Sequence, residues 1–172
     1  MAEALIPQER LQPSLLDRLI DDEPEKKVEA ADQRVLSKAR LRQAVLRDLA
    51  WLFNTTRLEA EVNLQKYPNV RRSVLNFGMP PLSGLLASSL DVVDLERAVR
   101  QAILDFEPRI DAGTLEVSVL AETTALAHHS VIGVEIRGHL WAQPVPLELL
   151  IRTQFDLETG HVRMADVQSG GG

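Results

Sequence analysis

The feature that most constrains this fold is a change of hydrophobic period at Gly113. Before it, apolar residues recur at helical spacing; after it, they alternate with period two. Leu115, Val117, Val119 and Ala121 alternate with Glu116, Ser118 and Leu120. Ile132, Val134, Ile136, Gly138 and Leu140 form a second alternating set, and Leu147, Leu149, Ile151, Thr153 and Phe155 a third. Such segments are half-buried strands. Residues 143–146, with two prolines, suit a hairpin connection; residues 156–160 suit a turn, and 161–167 a fourth strand. Helices first and strands afterwards predict an α+β fold. A helical N-terminal half should pack on a C-terminal antiparallel or mixed sheet of three to four strands.

The clearest helix carries Leu95, Ala98, Val99, Ala102, Ile103 and Phe106 on one stripe, with Asp94 as the expected N-cap. Pro108 disfavours helix at Glu107. The helix should stop there, and Glu107-Pro108-Arg109 should leave it in an extended shape. An earlier helix is expected from Ser37 to Phe53, with Leu41, Val45, Leu49, Leu52 and Phe53 inward. A short helical turn is expected from Val70 to Asn76, ended by Gly78, before the rigid Met79-Pro80-Pro81 loop. Near the N-terminus, Ser14 and Asp17 read as a capping pair for a stripe of Leu15, Leu16, Leu19 and Ile20. That helix is too short to stand alone, so it must dock on its own domain or on a partner. The chain divides into a docking helix and charged linker (1–33), a single domain (34–168) and a flexible tail (169–172).

Charge is segregated. The net of −6 splits into −5 for residues 1–33, +6 for 34–72 and −7 for 73–172. The basic block lies on a helix and its following loop, without the interleaved aromatics of a nucleic-acid surface. It reads as a solvated or acid-paired face, and no nucleic acid is expected as partner. There is no cysteine, which excludes disulfides and thiolate sites. No signal-peptide pattern or membrane span is visible, so a cytoplasmic protein without direct membrane insertion is expected.

No phosphate loop, dinucleotide fingerprint, zinc-protease motif or nucleophile elbow is present. His128 and His129 are adjacent, and on a strand they would point apart, so no metal or other cofactor is expected. Glu107 and Asp111 bracket a Pro-Arg turn and merit a test as a hydrolytic pair. Arg109 sits between them and would lower a carboxyl pKa, whereas a general acid needs it raised. No catalytic residue is assigned. Glu107-Pro108-Arg109 then has two readings. One is a helix stop with an incidental ion pair. The other is a rigid charged corner whose guanidinium fork meets a partner. On the second reading, charge reversal at Arg109 should leave the fold intact.

The chain resembles the TssE family of type VI secretion baseplate subunits and the related wedge proteins of contractile-tailed phages, often labelled lysozyme-like. The resemblance rests on ordered matches: 14–19 (SLLDRL), 41–49 (LRQAVLRDL), 52–55 (LFNT), Pro68, 73–78 (SVLNFG), Ile103 and 106–110 (FEPRI). It implies a non-enzymatic structural role in the baseplate, beside TssF, TssG and TssK, where the TssB–TssC sheath starts. It implies that Glu107, Pro108 and Arg109 help to hold the wedge core. It also implies that a strand near the C-terminus templates the first sheath ring. Leu15, Leu16 and Leu19 are candidates for a second partner contact. The alternatives are a peptidoglycan hydrolase with Glu107 as acid, or a regulatory adaptor on the same fold.

Overall fold

Two layers meet where the hydrophobic period changes. A computed structural model describes residues 17, 19, 38–83, 91–120, 131–142 and 145–166. The helical layer holds α1 (Lys38–Phe53), a short α2 (Pro68–Arg71) and α3 (Val92–Phe106), with one-turn 3-10 helices at Leu58–Ala60 and Val74–Asn76. The sheet holds β1 (Glu116–Leu120), β2 (Val131–Leu140), β3 (Leu147–Asp156) and β4 (Val162–Asp166). Its order is β1-β2-β3-β4, antiparallel throughout. The expected α+β architecture is therefore the observed one.

The core lies between the layers. Leu41, Val45, Leu49, Leu52 and Phe53 of α1 and Leu95, Val99, Ala102 and Ile103 of α3 are buried. They meet Val134, Ile136, Leu140, Leu149, Ile151 and Phe155 of the sheet. These sheet residues belong to the expected inward sets, because a period of two sends alternate side chains to one face. Phe53 and Phe155 pack at 5.9 Å between ring centroids, tying the end of α1 to β3. On the opposite face Glu135 is nonetheless buried, held by Arg137 (2.5 Å) and Arg152 (3.0 Å). Alternation alone would place it in solvent.

Three local expectations change. The N-cap of α3 is Asp91, not Asp94: its carboxylate accepts from the backbone N–H of Val93 and Asp94. The helix thus starts earlier, with Val92 and Val93 exposed in its first turn. The single turn expected from Val70 to Asn76 is split into α2 and the Val74–Asn76 turn, with Ser73 capping the second through Leu75 N–H. Glu107 is non-helical at φ −122°, ψ 76°, as a residue before proline should be. Beyond it the chain does not run extended. It turns back, with Ile110 N–H donating to Glu107 C=O at 3.2 Å.

Residues 54–83 form a side lobe held by polar contacts. Met79 pairs with the end of α1: its N–H donates to Thr55 C=O (2.8 Å), and Arg57 N–H donates to Met79 C=O (3.0 Å). Gly78 makes this approach possible. It sits at φ +127°, and a Cβ there would lie 2.3 Å from the Thr55 oxygen. Buried Asn76 accepts from Glu59 N–H (2.8 Å) and donates to Arg71 C=O (2.9 Å). Phe77 packs edge-on against Phe106 at 5.3 Å.

Candidate functional site

The corner after α3 is an internal junction. Glu107 is only 3% exposed, while the Arg109 side chain is 24% exposed. Arg109 donates through Nε to Glu107 Oε1 (2.7 Å) and through Nη2 to Oε2 (2.5 Å), a bidentate fork. Arg109 N–H also donates to Oε1 (3.1 Å). The same Nη2 reaches Asp48 Oδ2 of α1 at 2.6 Å. Burial alone would push the guanidinium's pKa down, but Glu107 and Asp48 outweigh it and raise it above its ordinary value. The guanidinium therefore keeps its positive charge throughout the physiological range.

The pairing continues outward from Asp48. Arg47 Nε donates to Asp48 Oδ1 at 2.9 Å, and Arg47 Nη1 donates to Asp17 Oδ1 at 2.5 Å. The Arg47 guanidinium also lies 5.1 Å from the centroid of the Trp51 ring. Asp17, Arg47, Asp48, Arg109 and Glu107 thus form one line of alternating charge. It links the N-terminal segment, α1 and the end of α3. The hydrogen bond to Asp17 is the main reason the Arg47 pKa is raised.

The corner is fastened to the sheet as well. Trp141 N–H donates to Arg109 C=O (2.7 Å), Asp111 N–H donates to His139 C=O (2.9 Å), and Ile110 bridges Leu140. One turn of chain therefore joins both long helices to the end of β2. Helix capping alone would need none of these sheet contacts. The fork expected to meet a partner is engaged inside the chain, with the Arg109 side chain still partly exposed. Reversing the charge of Arg109 would set a carboxylate against buried Glu107 and against Asp48. This geometry argues against the expectation that the change spares the fold.

Sequence reasoning found Glu107, Pro108 and Arg109 but missed Asp48, Arg47 and Asp17 as their continuation. A signal was available: Asp48 is the only acid on α1, which carries four bases. Pro108 is exposed, and so is Leu19 at 73%. Leu15, Leu16, His128 and His129 lie outside the described residues. Asp111 is exposed, and its carboxylate accepts from Gly113 N–H at 3.0 Å. Among the described residues no group of three or more metal-ligating side chains comes together, and no helix is long and apolar enough to cross a membrane.

The sheet edges form the second part of the site. Strand pairing alternates, so every second residue of an edge strand points its N–H and C=O away from the sheet. In β4 these are Val162, Met164 and Asp166, because Asp156 N–H bonds to His161 C=O and sets the phase. Asn54, at the end of α1, closes Val162 completely: Oδ1 accepts its N–H (2.9 Å) and Nδ2 donates to its C=O (3.0 Å). Arg42 donates to the carbonyls of Glu148 and Leu150, the part of β3 beyond the end of β4. On the opposite edge Glu96 accepts Val119 N–H of β1 at 2.8 Å. Met164 has no such closure among the described residues.

The family model described as "Baseplate wedge protein gp25" matches residues 39–145, more than half of the chain. The chain belongs to the baseplate wedge protein gp25 family. The matched span runs from α1 through β2 and contains the Asp48–Arg109–Glu107 junction. β3 and β4 lie beyond it. Neither the curated proteins nor the solved structures contain a match to the chain. Family membership supports a structural role in a phage or type VI secretion baseplate.

Proposed function

We propose that this protein is the type VI secretion baseplate subunit that joins the wedge and starts sheath polymerisation. The observation that carries the reading is the incompletely closed β4 edge. Neighbouring positions on that side are closed by Asn54 and Arg42, so the open backbone groups at Met164 are confined to one short stretch. An edge of this kind accepts an added strand, with main-chain bonds supplying affinity. The sheath proteins TssB and TssC are the proposed source of that strand. TssF, TssG and TssK are the proposed wedge neighbours. The cytoplasm is the compartment in which such an assembly forms.

The junction then has a mechanical role. It fixes α1 and α3 to the end of β2, so the sheet edge keeps one orientation relative to whatever holds the helices. This role differs from the hydrolase alternative. Both Glu107 oxygens accept from Arg109, so the carboxylate is engaged within the chain. Leu15, Leu16 and Leu19 remain proposed contacts for a wedge partner.

Proline scanning of β4 tests the edge. Met164→Pro removes an outward N–H and leaves the β3 ladder intact, a position where edge strands tolerate proline. It should fold normally and yet abolish sheath assembly in cells, visible as loss of fluorescent sheath. Arg163→Pro removes an inward N–H and should destabilise the sheet. Normal sheath assembly with Met164→Pro would sink the strand-addition role.

A further inference from the structure

Five of the eleven exposed large hydrophobic side chains among the described residues lie in the side lobe: Leu58, Val62, Tyr67, Val74 and Leu75. Val74 and Leu75 are the extreme pair, 81% and 67% exposed on adjacent positions of one turn. Their neighbours in the segment 73–78 each have an internal task. Ser73 caps the turn, Asn76 ties it to Glu59 and Arg71, Phe77 packs on Phe106, and Gly78 admits Thr55. No internal task remains for Val74 and Leu75. The bonds of Ser73 and Asn76 tie down the backbone of the turn that carries these two exposed side chains, which lowers the entropy cost of docking them.

The flanking charge selects the partner. Residues 57–75 hold four bases and two acids, within the basic block of the chain. Arg71 is held by Glu59 at 2.9 Å but stays half-exposed, Arg72 is 77% exposed and 3.8 Å from Asp105, and Lys66 is exposed. We infer that the Val74–Leu75 turn is a docking surface for a protein segment with apolar anchors flanked by carboxylates. Apolar contact supplies the attraction, and the arginines exclude basic partners and fix register. This surface is separate from the β4 edge and from the charged junction.

A photocrosslinker placed by Leu75→benzoylphenylalanine in the full chain, expressed in its native host, tests the inference. The same substitution at the exposed Val145 is the control. The expected adduct is with a segment rich in Asp or Glu that also carries apolar residues. It should fall at least tenfold when Arg71→Glu and Arg72→Glu are combined, and it should be missing from the Val145 control. No adduct, an adduct with a second copy of this chain or with nucleic acid, or an adduct that survives charge reversal would overturn the inference. Val74→Asp with Leu75→Asp should remove the native partner while leaving the melting temperature unchanged. If the acidic segment belongs to a protein of another assembly, the surface stands and the baseplate reading fails.

Discussion

Arg109 sets the behaviour of the corner because its removal strands a buried charge. Arg109→Ala should cost about 3–5 kcal/mol, the usual penalty for leaving one partner of a buried ion pair unpaired. Arg109→Lys should recover only part of that loss, since an ammonium cannot reproduce the fork onto Glu107 and the reach to Asp48. Urea denaturation checks both. Combining Arg109→Ala with Glu107→Ala should cost less than the sum of the single changes, the signature of a coupled pair. Glu135 gives a pH prediction. Hydrogen bonds from Arg152 and then Arg137 outweigh burial and hold its carboxyl below the usual value of 4.5. A lowered folded-state pKa contributes stability that is fully present above that value and is lost as pH falls through the folded one. Melting temperatures between pH 7 and pH 3 should therefore fall less steeply for Glu135→Gln than for the parent chain.

At the scale of elements, Gly78 and Asp91 separate backbone demands from packing. Gly78→Ala forces a side chain onto φ +127° and against the Thr55 oxygen, so it should cost well over about 1 kcal/mol. Asp91→Ala should cost about 1 kcal/mol, as N-cap losses do, whereas Asp94→Ala should cost less because Asp94 holds only an exposed pair with Arg97. Thermal melts of the three variants give the order. The strands and both long helices were legible in the sequence because their apolar residues recur at strand or helix spacing. What was illegible depends on side-chain geometry, local or between elements, that periodicity does not encode. Asp91 outcompetes Asp94 by geometry that no spacing reveals. Glu135 is buried on a polar face because Arg137 of its own strand and Arg152 of the neighbouring β3 fold over it. Asp48 meets Arg109 only once α1 and α3 are packed, 61 residues apart. The Glu107-Pro108-Arg109 corner was legible as a feature, but its internal use was not, since the partners of its fork lie on other elements.

On the whole-molecule scale, the chain reads as a connector. A sheet whose β4 edge is open at Met164 is tied to two helices through the Glu107–Arg109–Asp48 junction. A lobe beside them presents apolar residues among bases. The β4 edge and the lobe are the surfaces proposed to meet other proteins, and Glu107, the carboxylate tested for hydrolysis, is held by Arg109. The proposed function is therefore tested by assembly. The most direct measurement is the composition of the complex isolated from the native host through a tag on this chain. The expected result is co-purification of TssF, TssG and TssK at fixed ratios, with sheath proteins joining when the tube is present. Recovery of the chain alone, with glycan fragments released from purified cell walls and that release lost on Glu107→Gln, would contradict the structural role.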